Sequence, residues 1–380
     1  MEKIYLDHAA TSPIHPKVVD KMTTVLKETF GNPSSIHAFG REARQYLDEA
    51  RTIMAEAIGA HFNEIIFTSG GTEADNMAII GAVRALKDKG NHIITTSIEH
   101  HAVLHTCQYL EKEGFEVTYL PVDEQGKISL EQFEQALRDD TIVVTIMFGN
   151  NEVGTIQPIR EIGQRLKGHQ AVFHTDAVQA FGMEELDVNE LHVDMLSVSA
   201  HKVNGPKGIG FLYVREGTKL IPHIHGGEQE RKRRAGTENV ASIAGFGEAV
   251  TIAQQTMAEK RKQYQAFKQK MIETFRQEGI EFDINGTLEG SLPHVINVYF
   301  PGVDVEAMLV NLDLAGIAAS SGSACTAGSI DPSHVLVAMF GKDSDRLRSS
   351  IRFSFGLGNT LEQVEKAAKE TANIVKRLRK

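Results

Sequence analysis

Two strand-like runs in this chain end on residues that can do chemistry together. His174-Thr175-Asp176 closes one run with a carboxylate, with Gln179 three residues on, and Ser199-Ala200-His201-Lys202 closes the next with an amine. An aldehyde cofactor with a pyridine ring needs such a pair. The lysine forms a Schiff base, and the carboxylate keeps the ring nitrogen protonated so that the ring draws electrons from the substrate's Cα. Each residue alone reads as structural, because lysines are solvated far more often than they are catalytic. A tight turn, Asn204-Gly205-Pro206-Lys207-Gly208, also follows Lys202 directly.

Other segments carry weaker signals. Thr68-Ser69-Gly70-Gly71-Thr72-Glu73 leads from a strand into a helical pattern, where backbone N–H groups and the Thr72 hydroxyl can hold a phosphate. It lacks the Lys-Ser/Thr ending of a P-loop, and a Gly-rich turn with a Ser or Thr cap is the plain alternative. His100, just past another strand end, can stack on an aromatic ring and shuttle protons near neutral pH. His101 and His105 lie one helical turn apart but give two ligands where zinc takes three or four, so no resident metal is expected. Cys107, spaced with Val103 and Leu110, reads as a small core residue. Cys325 lies in Ser320-Ser321-Gly322-Ser323-Ala324-Cys325-Thr326-Ala327-Gly328, with no bulky side chain to anchor it. A mobile thiol that attacks in one place and delivers in another, and a small residue in a Gly-rich turn, fit that stretch equally.

These residues need a scaffold, and the chain spells one. Apolar β-rich runs at 64–68, 92–96, 116–120, 141–148, 171–174 and 194–199 alternate with helical patterns, which predicts an α/β fold with a mainly parallel central sheet. Ligands then sit beyond the carboxyl ends of the strands. The run TIVVTIMF is apolar almost throughout, as a strand covered on both faces reads, and it is expected at the centre. Residues 248–278 predict a long helix or helix pair, after which shorter strand signals and a closing amphipathic helix predict a smaller α+β domain. With 380 residues, one large domain plus a smaller one is the expected scale.

Forty Lys and Arg against fifty Asp and Glu give a formal charge of −10, which disfavours generic nucleic-acid binding. The basic run Arg231-Lys232-Arg233-Arg234 is expected to be a solvated loop. No export signal is visible at the start, and the uncharged stretch 314–330 is too polar to span a bilayer. Two cysteines allow no disulfide framework, and reduced thiols suit the cytoplasm.

Taken in order, the segments YLDHAATSP, GNPSSIHAFGR, TSGGTEADN, EHHAV, NNEVGTIQP, HTDAVQA, SAHKVNGPKGIG, HGGEQERKRRAGTENV, SSGSACT and SSIRFSFG resemble the pyridoxal-phosphate-dependent cysteine desulfurases of the NifS and IscS type, nearly end to end. The resemblance implies a fold-type I homodimer. A large cofactor domain would span 12–258, and a small domain would join 1–11 to 259–380. It assigns Lys202 the Schiff base, Asp176 the pyridine nitrogen, Gln179 the ring oxygen and His100 the ring-stacking acid–base role. Gly71, Thr72, Ser199 and His201 match the phosphate positions, with Thr237 reaching in from the other subunit, and Asn151 and Arg352 match residues that orient the substrate carboxylate. The implied reaction converts L-cysteine to L-alanine and leaves sulfur as a persulfide on Cys325, for delivery to an acceptor protein. Cys325 would touch an iron–sulfur cluster only transiently, on a partner. The short SSGSACT motif is similar to the branch with an extended cysteine loop. The chain ends at Lys380 without the longer tail by which some relatives dock an iron–sulfur scaffold, so a tRNA-thiolating enzyme stands level with that scaffold as acceptor. Another aminotransferase or lyase of this fold would share Lys202 and Asp176 but have no use for Cys325. A cofactor-less sulfur carrier would not need the Lys202, Asp176 and Thr72 set.

Overall fold

The computed structural model describes residues 2–321 and 332–379. Strand β1 (Ile4–Tyr5) opens the chain, and seven strands follow: β2 (Ile65–Thr68), β3 (His92–Thr96), β4 (Glu116–Leu120), β5 (Thr141–Thr145), β6 (Val172–Asp176), β7 (Met195–Ser199) and β8 (Gly210–Val214). They form one sheet in the order β2-β8-β7-β6-β5-β3-β4. Pairing is parallel from β7 across to β4, while β8 runs antiparallel to both β7 and β2. Later come β9 (Asp283–Asn285), β10 (Val295–Tyr299), β11 (Ile317–Ala318) and β12 (Ser350–Ser354), in the antiparallel sheet β12-β10-β9 and the parallel pair β1-β11.

The mainly parallel sheet agrees with the alternation of strand and helix signals, with two differences. The middle strand is β6, and β5 sits one place off it, since being covered on both faces is a property of every interior strand. The antiparallel β8, Gly-Phe-Leu-Tyr-Val, was not foreseen because it follows the Asn204–Gly208 turn directly, with no α-helix and only the single 3-10 turn Ala200–Lys202 between it and β7.

Both faces of the sheet are covered, and alternate residues divide between them. On β5, Val143 joins a core with Ala78, Val83 and Leu212 from the side of helix Gly71–Leu86, whereas Val144 joins Phe173, Phe181, Phe211 and Phe246 on the other. A separate core gathers Ile4 and Leu6 with Phe275, Val298, Phe300, Phe353 and Val375, so residues from both chain ends share it. Each such buried side chain contributes about 1.5–3 kcal/mol, and helix Leu361–Leu378 supplies Val364, Ile374 and Val375 from one face. The long helix is a single one, Val240–Gln277, about 57 Å at 1.5 Å per residue. Its first half packs Ile243, Phe246 and Val250 into the sheet core, and its second half packs Tyr264, Phe267 and Met271 into the other. No helix among the described residues is long and apolar enough to cross a membrane.

Candidate active site

A cavity of about 340 Å³ opens at the carboxyl ends of the parallel strands, where this sheet topology places ligands. Its wall includes Gly71, Thr72, His100, Asn151, Asp176, Gln179, Ser199, His201, Lys202 and Arg352. Ten residues singled out from sequence therefore meet in one place. Thr237 is exposed and does not line this cavity, and Cys325 lies outside the described residues.

At one end helix Gly71–Leu86 begins without a side-chain cap, so the Ser or Thr cap offered as the alternative is absent. Its Ncap, Gly70, has φ 151°, a backbone region reserved for glycine. The first N–H groups of the helix thus face the cavity with the Thr72 hydroxyl, an arrangement that binds phosphate. Gly210 permits the close approach of this turn to β8, because a Cβ there would lie 2.9 Å from Gly70 Cα and 2.5 Å from Val198 O.

On the floor, β6 and β7 are parallel neighbours, and they carry Asp176 and Lys202 to the same rim. Asp176 Oδ1 accepts the Val178 N–H at 2.9 Å. Burial raises its pKa, opposed by His100, that N–H and Lys202. The Lys202 ammonium donates to the Ala9 carbonyl and, at 2.8 Å, to the Ala10 carbonyl. Burial and then the Arg352 charge pull its pKa down to about 8, against the pull of Asp176 and Asp7. About a tenth of Lys202 is therefore free amine at pH 7, where an ordinary lysine has almost none, and attack on an aldehyde requires that form.

The side walls are held in turn. Gln179 donates to Ala9 O at 2.9 Å, and its carbonyl oxygen lies 3.1 Å from Nε2 of His294, a buried ring whose pKa falls to about 3. His100 caps helix His101–Lys112 by accepting the Ala102 N–H on Nδ1 at 3.1 Å, which leaves Nε2 as the nitrogen that carries a proton. His201 sits 3.1 Å from Thr11 Oγ1, and burial lowers its pKa to about 4. At the far end Arg352 on β12 pairs with Asp7 at 2.8 Å and donates to Asn151 O at 3.0 Å. The guanidinium is buried and shares its charge with Asp7, and an incoming carboxylate would meet it through the donors that pair leaves free.

Sequence reasoning missed Asp7, Asp75, Met147, Ala9, Ala10 and His294, although Asp7, Ala9 and Ala10 lie in the opening motif and Asp75 in TEADN. The basic run also needs correction. Arg234 is half-buried and bidentate on Glu73, and Arg233 donates to Asn63 O at 2.7 Å, so half of the run is folded inward rather than solvated. Cys107 is fully buried with Val103 and Leu110, and burial pushes its thiol pKa up. His101 stacks on His105 at 4.9 Å and contacts His334 at 4.8 Å, but no metal-binding group of three converges among the described residues.

Residues 4–367 match the aminotransferase class-V family. The putative cysteine desulfurase IscS 1 of Bacillus subtilis (strain 168) is 64% identical over 378 residues, covering all of both chains. A solved NifS-like protein superposes with a TM-score of 0.92 at 36% identity, over 99% of this chain and 100% of that one. SspA, solved in complex with cysteine, gives 0.80 at 40% identity over 93% and 99%. The chain is a class-V aminotransferase-family enzyme, a cysteine desulfurase of the NifS and IscS type. Members of the family depend on pyridoxal phosphate, and the cavity fits that group. It offers an uncapped helix N-terminus for the phosphate, a depressed-pKa lysine for the aldehyde and a buried carboxylate on the floor.

Proposed function

We propose that this cysteine desulfurase takes sulfur from L-cysteine, forms L-alanine, and hands the sulfur from Cys325 to an acceptor protein in the cytoplasm. The observation that carries the reading is the Lys202 amine, buried on one floor with Asp176 and facing an Arg352–Asn151 wall across a cavity of amino-acid size. Gly71, Thr72, Ser199 and His201 hold the cofactor phosphate, Gln179 the ring oxygen and His100 the ring face. When bound, pyridoxal phosphate supplies the electron sink for the charge left at Cα.

The protein's own residues do the rest. Arg352 and the Asn151 side chain fix the substrate carboxylate, which sets the Cα–H bond within reach of Lys202. Lys202 Nζ takes the Cα proton and His100 Nε2 holds a proton for exchange with the substrate. The Cys325 thiolate attacks the substrate sulfur. A sulfur–sulfur bond forms, the Cβ–sulfur bond breaks with its electron pair going to carbon, and a proton completes L-alanine. Cys325 is left as persulfide, so no outside oxidant or reductant is needed.

Thr237 completes the site from a second copy of the chain. Its exposure away from its own cavity supports that role, as does the apolar surface of Leu26, Phe30, Ile36 and Phe39. We place the division between large and small domains in the solvent-facing middle of helix Val240–Gln277, with 1–11 joining the small one. The test is incubation with L-cysteine followed by mass spectrometry. An added sulfur on the Cys325 peptide, with alanine release that stops in Cys325→Ser, is expected. Alanine release unchanged in that variant without reductant would favour a lyase.

A further inference from the structure

Asp75 has no part in the mechanism above, yet it lines the cavity and is 1% exposed. It lies three residues beyond Thr72 on helix Gly71–Leu86, so both look onto the sheet from one helix face. Opposite it, His174 and Asp176 alternate on β6 and so share a strand face, with Ser197 of β7 directly beside Asp176. Asp75 Oδ1 has no hydrogen-bond partner, and the nearest cationic candidate is His174 Nε2 at 3.6 Å. That ring is already engaged on both nitrogens, with Thr145 Oγ1 at 2.8 Å and Ser197 Oγ at 2.9 Å, and burial pulls its pKa down to about 3. It is neutral and offers Asp75 no charge.

A buried carboxylate with neither a cation nor a full set of donors gives up its charge by binding a proton. Asp176 differs, because it accepts the Val178 N–H and feels His100 and Lys202 across the cavity. We propose that Asp75 is a positioning residue of the ring-nitrogen site. It stays an uncharged carboxyl, so the cavity floor carries one negative charge and that charge sits on Asp176. The inference rests on the reading of Asp176 above. Burial, the Asp176 charge and Glu99 all push Asp75 well above the usual carboxylate range, while Ser197 pulls it back. Glu99, buried behind it and held by Thr96 and Met147, is likewise raised to about 8. A second ionised carboxyl would raise the Lys202 pKa as Asp176 does and withdraw free amine from the site.

The test uses full-length protein, without cofactor and after reconstitution with pyridoxal phosphate. Infrared spectra of apo-protein carrying carboxyl-labelled aspartate should retain a protonated-aspartate band at neutral to mildly alkaline pH, and the band should persist in Asp176→Asn. Asp75→Asn should bind pyridoxal phosphate within about twofold of wild type at neutral pH. Its apo form should gain thermal stability, and the gain should grow from mildly acid to neutral pH. Unfolded Asp75 ionises over that range while folded Asp75 keeps its proton, so the wild type loses stability there beyond the loss from Glu99 that both proteins share. Absence of a protonated-aspartate band near neutrality, which needs no variant, would overturn the proposal. So would a roughly tenfold loss of cofactor affinity in Asp75→Asn, the mark of a charge that was attracting the ring. The Asp176 reading fails separately, if Asp176→Asn turns over normally.

Discussion

Lys202 is the residue whose environment most directly sets its chemistry. Its native pKa of about 8 lies below the usual 10.5, so between those values the unfolded chain binds a proton that the native chain does not. The apo-protein therefore gains stability as pH rises through that window. Lys202→Met should reduce that rise in thermal midpoint, the remainder belonging to buried Lys268, whose pKa also falls to about 8, and wild-type attachment of pyridoxal phosphate, trapped by borohydride, should climb with a midpoint near pH 8. Asp176→Asn should keep the cofactor but lose at least about a hundredfold in turnover, ~2.7 kcal/mol of barrier, because the electron sink is weakened rather than removed. Steady-state alanine release checks it, and near-normal rates would count decisively against the role. The two cysteines separate cleanly. Cys107→Ser buries a hydroxyl among Val103 and Leu110 and should cost about 1–3 kcal/mol in urea unfolding while sparing sulfur transfer.

At the scale of elements, the loop 228–237 is fastened to the residues that enter the phosphate turn. Glu230, Arg231 and Lys232 all have φ between 47° and 66°, a costly run for side-chain-bearing residues. The opposing force is a buried ion pair. Arg51, 2% exposed, meets Glu230, 6% exposed, through two bonds of 2.7 Å, and Glu230 also accepts the Phe67 N–H at 3.0 Å. A second clamp joins Arg234 to Glu73, whose carboxylate accepts the Ser69 N–H at 2.7 Å. Glu230→Gln should cost about 3–5 kcal/mol, since Arg51 would keep a buried charge without its partner. Replacing both by methionine should recover much of the loss in denaturant titrations. A double variant no more stable than Glu230→Gln would show that the loss does not come from an unpaired Arg51 charge.

At the scale of the whole molecule, the two chain ends converge on the site. Asp7 and Arg352, 345 residues apart, pair beside the cavity that Arg352 lines, and Ala9 O and Ala10 O receive the Lys202 amine. Phe30 is 80% exposed and Ile36 92%, beside Phe39, more apolar surface than a lone subunit leaves to water without reason. Phe30→Asp with Ile36→Asp should yield a monomer by sedimentation and weaken pyridoxal-phosphate retention, as the role proposed for Thr237 of a second copy requires. A double variant that stays dimeric would show that this surface is not the interface.

The sequence by itself was enough for the sheet class and for most of the site wall. Strand-ending residues keep their place at a sheet's rim whatever the surrounding loops do, so Asp176 and Lys202 were legible from local pattern alone. Their motifs also carried the family. Antiparallel β8 was not legible, because a strand returning after a short turn gives no helix signal. Nor was the central place of β6, since apolar runs mark every covered strand alike. Asp75, His294 and Asp7 escaped for a different reason. Each acts on a residue far away in the chain, and whether a buried carboxyl is paired, neutral or aimed at a cavity depends on neighbours that only tertiary packing brings together. The inward half of the Arg231–Arg234 run is the same lesson in reverse, because a charge run reads as solvated until the fold supplies Glu73 and Asn63 O.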